Sequence, residues 1–325
     1  MKVEIMGAGA LGLMFGAALV AAGEDVRIWT RTAEQAEALG RDGIRLIMSE
    51  GQEVFAPAGR FLVESSRELD CQKIDRTNAD WILVTTKQRH MDERLHRHLA
   101  VLRGEGTDII CFQNGVGHIE RLSEALGGQH ILAALTTEGA RKEGDCTVYR
   151  SGEGQTRLGL TGIHEKAGLW LDKAENLAVS LTMAGFPAVL SNDIDKEIYR
   201  KLLINAAINP LTALLRIRNG ELLASEERRA LLIELIEETL DIYNHYGISY
   251  DADIKDQVFA VCRSTAHNMS SMLKDVLAGQ VTEVNSINGQ LVKMAHKKEI
   301  KVPAHERVWR LVSAMLAHPD GNSKL

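Results

Sequence analysis

An α/β half followed by an all-helical half is the fold class that this sequence predicts, and three observations predict it. Short apolar runs alternate with helical stretches up to about Asn192. Every regular pattern after that point is helical, and 325 residues are more than one hydrophobic core usually organises. The expected domains are residues 1–191 and 192–318, with a polar tail at 319–325.

Val3 to Met6 reads as a first strand and runs into Gly7-Ala8-Gly9-Ala10-Leu11-Gly12, then an Ala-rich apolar segment to about Gly23, then a second strand from Val26 to Trp29. Strand, glycine turn, helix, strand is the order of a Rossmann-type nucleotide-binding domain. Gly7 permits the tight turn, Gly9 lets main chain approach a pyrophosphate, and Gly12 lets helix pack closely on strand, with the helix N-terminus facing the phosphates. The end of the second strand bears on which dinucleotide is bound. Where an NAD site would place Asp or Glu against the ribose hydroxyls, this chain reads Trp29-Thr30-Arg31-Thr32, and a guanidinium suits a 2′-phosphate. One charge-assisted hydrogen bond of about 1.5–3 kcal/mol would favour NADP over NAD by roughly ten- to a hundredfold. The plain alternative is a solvated surface arginine.

A helix is expected from about Ala33 to Arg41, then an inserted hairpin over Ile44 to Val63, where apolar and polar residues alternate around Ser49-Glu50-Gly51-Gln52. Trp81 to Thr86 and Ile109 to Phe112 read as buried strands that end at Lys87 and at Gln113-Asn114-Gly115. Lys87 and Asn114 therefore stand where open α/β sheets bind ligands, although both also read as cap or turn residues. Ile131 to Thr137, Thr147 to Tyr149 and Arg157 to Leu160 are further strands, followed by a helix from about Glu165 to Ala184 and a strand from Pro187 to Leu190. His96 and His98, two apart on a helix, point to different sides, and no metal is assigned.

The second half is organised around Lys201 to Asn209, in which every polar side chain falls four residues after the last before Pro210 discourages further helix. Lys201, Asn205 and Asn209 thus stack on one face among Leu, Ile and Ala. Two interpretations stand on these residues alone: Lys201 snorkels to the surface while the amides satisfy nearby main chain, or the three line an anion or carbonyl pocket. Further helices are expected over Glu226 to Tyr246, Asp251 to Arg263, Ala266 to Leu277, Glu283 to Lys297 and His305 to His318. Thr282 is a plausible N-cap, which would give Glu283 a plain helix-dipole explanation.

Forty-four acidic against 38 basic residues give a net charge of −6 with no long single-sign run, so neither nucleic acid nor a membrane surface is an expected partner. Cys71, Cys111, Cys146 and Cys262 lie far apart, which suits a reducing compartment rather than a disulfide framework or zinc site. Met1 leads directly into a strand, leaving no room for a signal peptide, and no 18-residue apolar run suggests a membrane span. A cytoplasmic location is expected, with the terminal Ser323-Lys324-Leu325 taken as a chance tripeptide rather than a peroxisomal address.

The glycine turn, Lys87 after its strand, Asn114-Gly115, Arg200-Lys-Leu-Leu-Ile-Asn205 with Asn209-Pro-Leu-Thr-Ala213, Asn219-Gly-Glu-Leu222, Asn268 to Leu273, and Glu283 with Ile287-Asn-Gly289 together resemble the ketopantoate reductase (2-dehydropantoate 2-reductase) family over nearly the whole chain. The resemblance implies NADPH-dependent reduction of 2-dehydropantoate to (R)-pantoate, a step toward pantothenate and coenzyme A. It implies that Gly7, Ala8, Gly9, Ala10, Leu11 and Gly12 cradle the pyrophosphate, that Arg31 and Lys87 face the 2′-phosphate, and that Asn114 and Ala140 line the nicotinamide side. It further implies Lys201 as proton donor, Glu283 as its acidic partner, and Asn205, Asn209, Asn219, Asn268 and Ser271 as contacts of a small 2-oxo acid. The segment Thr136-Thr137-Glu138-Gly139-Ala140 and the hairpin near Ser49 depart from the family's pattern.

Hydride transfer to a ketone builds negative charge on its oxygen, so a cation able to hold that charge and deliver a proton is needed, and Lys201 is the candidate. An interdomain cleft that closes on substrate is expected. Two rivals stand beside this expectation: a reductase of the same architecture acting on another 2-oxo acid, and a catalytically idle NADP(H) sensor. If the chain assembles, the expected state is a homodimer.

Overall fold

The computed structural model describes residues 1–67, 69, 78–128, 131–162 and 168–315. The chain divides into two compact units, one of residues 1–113 and 118–195, the other of residues 114–117 and 196 onward. Cys71 and the tail at 319–325, with its Ser323-Lys324-Leu325, lie outside the described residues.

The first unit carries strands β1 (Lys2–Met6), β2 (Asp25–Thr30), β3 (Ile44–Ile47), β4 (Glu53–Ala56), β5 (Leu62–Ser65), β6 (Trp81–Val84), β7 (Asp108–Cys111), β8 (Leu132–Thr136), β9 (Gly139–Glu143), β10 (Thr147–Gly152), β11 (Thr156–Leu160) and β12 (Ala188–Leu190). Eight of them form one sheet in the order β12-β11-β8-β7-β6-β1-β2-β5, parallel except where β11 runs against β8. The apolar runs of β1 and β6 are buried on both faces, as a covered parallel sheet requires. Around β1 the strand order reverses: Met6 pairs with Trp29 of β2 on one side and with Val84 of β6 on the other. Such a reversal opens a crevice at the carboxyl ends of the strands, the ligand position of a Rossmann-type domain.

Helix α1 (Ala10–Ala21) leaves the glycine turn and is apolar all round, with Gly12 to Val20 buried. Its packing explains this. One side lies on β1 and β2, and the other is covered by a second sheet of order β4-β3-β10-β9. The expected hairpin over Ile44 to Val63 is accordingly shorter than its alternation suggested. Only β3 and β4 form it, closing at Gln52, whose carbonyl accepts from the Met48 N–H (2.8 Å), while Leu62–Ser65 joins the main sheet parallel to β2. The strand at Gly139–Glu143 differs from the expectation; Arg141 and Glu143 are exposed, but the half-buried residue between them is Lys142, so no apolar residue marks the period-two signal. Helices α2 (Ala33–Asp42), α3 (Glu93–Leu102), α4 (His118–Ala125) and α5 (Gly168–Met183) complete the unit.

The second unit is helical: α6 (Ile194–Leu215), α7 (Glu226–Tyr246), α8 (Ile254–Ser264), α9 (Ser271–Leu277), α10 (Asn288–Lys297) and α11 (Pro303–Ala314). Contrary to expectation, α6 runs through Pro210 for another turn and more. A proline there lacks the N–H that would bond the Ala206 carbonyl four residues back. The side chain of Asn288 replaces it, Nδ2 donating to that carbonyl at 2.9 Å. Asn288 is fully buried and also lies 3.1 Å from Nδ1 of His305, whose Nε2 faces the Leu235 carbonyl (3.1 Å). Burial pushes His305 down to about 4, so its ring is neutral. Nε2–H then points between Thr239 Oγ1 (2.8 Å), whose own hydroxyl donates to the Leu235 carbonyl, and that carbonyl, while Nδ1 accepts from Asn288.

Two other helix starts move. Ser270, not Ala266, opens the helix after α8, because its Oγ caps the Leu273 N–H (3.0 Å). Thr282 is no helix N-cap: its Oγ1 accepts only from Val284 N (3.4 Å), and the helix waits until Asn288. The helix-dipole explanation of Glu283 therefore falls, since Glu283 stands in a turn five residues before α10.

The glycine turn separates residues that the protein itself needs small from one that it does not. At Gly7 (φ +117°) a Cβ would lie 2.8 Å from Thr86 Cγ2, and at Gly12 it would lie 1.9 Å from the Gly7 carbonyl oxygen. At Gly9 it would meet nothing within 4 Å. Gly12→Ala is thus expected to destabilise the fold by at least about 2 kcal/mol, the scale of overpacking against groups that cannot yield, and Gly9→Ala to leave the thermal midpoint within about 1 °C of wild type. Calorimetry of the two variants checks the contrast; equal destabilisation would show that Gly9 too is held by packing.

Candidate functional site

The candidate side chains fall into one group in each unit. In the first, the carboxyl ends of β1, β2 and β6 present the glycine turn, Arg31 and Lys87. Helix α1 begins after Gly9 with no side-chain cap and no acidic residue in its first turn, so its N–H groups are left to whatever lies in front of them. Ala8, Ala10 and Leu11 contribute main chain to the same turn. Thr86 beside Gly7 holds a buried hydroxyl that has no partner among the described residues. Open space over Gly9, an uncapped N-terminus and an orphaned hydroxyl together fit a dinucleotide's phosphates.

Arg31 follows β2 directly and is exposed, and it makes no hydrogen bond or ion pair with a described residue. Its neighbourhood is cationic. His90 is held below its ordinary value by burial and then by the positive charges of Arg89, Arg31 and Lys87, against the opposing pull of Asp92. Arg89 Nε also donates to His90 Nε2 at 3.1 Å. Clustered cations repel one another, and a doubly charged phosphate relieves that repulsion. Arg89 and His90 are absent from the sequence-based expectation, which rests on the strand end alone, although the run Lys87-Gln-Arg-His90 is a basic signal just beyond it.

In the second unit, α6 carries Lys201, Asn205 and Asn209 on one face, and neither amide bonds any described group. Asn209 is buried and Asn205 half-buried. Part of Lys201 stays accessible, yet enough protein surrounds its ammonium that desolvation lowers it from 10.5 to about 8, against the charge of Glu283, which supports the protonated form. Asn114 Nδ2 donates to Glu283 Oε2 at 3.0 Å, so this carboxylate is both oriented and near the lysine.

The other amides gather on the neighbouring loops. Asn219 is buried; its Nδ2 donates to Thr265 Oγ1 (2.9 Å), while its Oδ1 is enclosed and has no partner among the described residues. Its N–H donates to the carbonyl of Asn268 (3.1 Å), whose side chain is exposed. Ser271 is also exposed, one residue past the capping Ser270, whose Oγ lies 2.7 Å from Thr212 Oγ1 on α6. That contact ties the segment to the helix one turn beyond Asn209. Ala140 stands in β9, just past the carboxyl end of β8, and packs on the first unit's core.

Comparison with known proteins follows this geometry. Residues 3–162 match the family described as "Ketopantoate reductase PanE/ApbA", and residues 193–316 match "Ketopantoate reductase PanE/ApbA C terminal". A 2-dehydropantoate 2-reductase of Archaeoglobus fulgidus is 33% identical over 312 residues, 96% of each chain. Among solved structures, the probable 2-dehydropantoate 2-reductase panE from Bacillus subtilis is 30% identical and superposes with a TM-score of 0.81 over 97% of this chain and 100% of that one. A D-mandelate dehydrogenase solved with NADH and anilino(oxo)acetate is 25% identical, with a TM-score of 0.83 over 97% of this chain and 98% of that one. With both halves matched in order, the chain belongs to the ketopantoate reductase family.

Proposed function

We propose that this chain reduces 2-dehydropantoate to (R)-pantoate with NADPH, with Lys201 as proton donor, in the supply of pantothenate and coenzyme A. The observation that carries the proposal is the partly desolvated ammonium of Lys201, held on one helix face with two uncommitted amides and opposed by Glu283. The relatives named as 2-dehydropantoate 2-reductases support the reaction.

When bound, the nicotinamide cofactor would supply hydride to the keto carbon. The residues of this chain do the rest. Lys201, lowered to about 8, remains largely protonated at neutral pH while its proton is readily given up, so it can stabilise the oxygen's growing charge and then protonate it. Glu283, fixed by Asn114, favours the charged lysine before transfer. Asn205, Asn209 and the enclosed Oδ1 of Asn219 would orient a carboxylate and a hydroxyl, with Asn268 and Ser271 at the rim, and orientation alone contributes several kcal/mol. Arg31 and Lys87, with Arg89 and His90, would hold the 2′-phosphate that distinguishes NADPH.

A second reading, the same chemistry on another 2-oxo acid, is favoured by the likeness to a D-mandelate dehydrogenase. Oxidation of NADPH, followed by absorbance with ketopantoate, pyruvate, branched-chain and aryl oxo acids, separates the two; ketopantoate is expected to give the highest kcat/KM, and a clear preference for another acid would replace it as substrate. Lys201→Ala is expected to lower kcat at least about a hundredfold with NADPH binding intact, and near-normal turnover would remove the lysine from its role. For Arg31→Ala the preference for NADPH over NADH is expected to shrink roughly tenfold or more. An unchanged ratio of the two kcat/KM values would assign the phosphate to other residues.

A further inference from the structure

We infer that Asn288 is a positioning residue that holds the Glu283 turn in register with the Lys201 helix by filling the hydrogen-bond gap that Pro210 opens. The inference rests on the proposed function for the roles of Lys201 and Glu283, but its geometry stands by itself. Both N–H bonds of the Asn288 amide are used inside the core: one meets the Ala206 carbonyl (2.9 Å), the other His305 Nδ1 (3.1 Å). The reverse orientation would set its Oδ1 against the Ala206 oxygen, so the donor role is forced. Oδ1 is enclosed and has no partner among the described residues, a cost that the two donated bonds offset.

Asn288 follows Glu283 by five residues, across a turn closed by main-chain hydrogen bonds. The Glu283 carbonyl accepts from the N–H groups of Ser286 (2.9 Å) and Ile287 (3.1 Å), and Gly289 N donates to Val284 O (2.9 Å). The chain between them is a closed turn with little freedom. A ring results: from Lys201 along α6 to Ala206, through the side-chain bond to Asn288, back through the turn to Glu283, and by charge to Lys201 again. Only one link of that ring is a side-chain hydrogen bond, and only because residue 210 is proline does it exist. His305 supports it from behind: neutral and fixed by the Leu235 carbonyl, its acceptor nitrogen orients the amide.

The test exploits the proline. Asn288→Ala leaves the Ala206 carbonyl unpaired, whereas Asn288→Ala with Pro210→Ala returns a main-chain N–H to that carbonyl without restoring the tie to Glu283. We would measure the thermal midpoint, kcat and KM for the best oxo acid, and the pH dependence of Lys201 acylation by peptide mass spectrometry in the cofactor-free protein. Expected for Asn288→Ala are a lower thermal midpoint, a kcat reduced at least about tenfold, and a Lys201 midpoint below that of wild type, since the protein that buries the lysine on α6 stays in place while the support of Glu283 weakens. In the double variant the thermal midpoint is expected to recover while kcat and the lysine midpoint do not. Recovery of all three together would reduce Asn288 to a structural cap and overturn the inference, as would an unchanged lysine midpoint in either variant. Should Asn288→Ala alone not fold, the double variant carries the comparison. If wild type turns over no oxo acid the proposed function fails, and the acylation midpoints still decide the role of Asn288.

Discussion

A lysine ammonium with too little water around it is the constraint on which the second unit depends. Desolvation, the larger influence, pulls Lys201 down, and the charge of Glu283 opposes it. The balance makes geometry decisive. A small movement of the Glu283 turn would change the lysine's acidity, which gives a physical reason for the closed turn from Glu283 to Gly289 and for the orienting bond from Asn114. An apolar helix with Leu202, Leu203, Ala206 and Ala207 buried around the polar face keeps water away from the same group.

The first unit solves a different problem, the approach of a polyanion to main chain. Its helix α1 lies between two sheets, a setting that demands an apolar surface all round and leaves only the N-terminal turn for chemistry. Gly7 and Gly12 are small because backbone and threonine crowd them, and Gly9 is small with nothing against it. The three glycines of one motif therefore answer to two different pressures. Around that turn the cations Arg31, Lys87 and Arg89 are assembled with His90 between them, a grouping that favours an anion on charge alone.

Much of this was legible in the sequence. The glycine turn, the strand ends at Lys87 and Asn114, and the four-residue spacing of Lys201, Asn205 and Asn209 depend on local periodicity, and local periodicity survives folding. What escaped depended on partners far along the chain. Pro210 looked like a helix end because its missing bond is visible locally, whereas the amide of Asn288 that replaces it comes from 78 residues later. Glu283 looked like the first turn of a helix for a similar reason: a Thr-Glu pair before an apolar run has the same composition whether the chain coils at once or first makes a turn. Val63 was read as hairpin because alternation does not reveal which sheet a strand joins.

The most direct test of the central claim is the pH dependence of kcat/KM for the oxo acid with saturating NADPH. A lysine that must be protonated to act, with its pKa lowered to about 8 in the folded enzyme, predicts a plateau below that value and a decline as pH rises through about 8. Oxidation of the hydroxy acid product, which needs the neutral amine, should rise over the same interval. A reduction profile flat to pH 10, or one that climbs where it should fall, would contradict the assignment of the proton to Lys201.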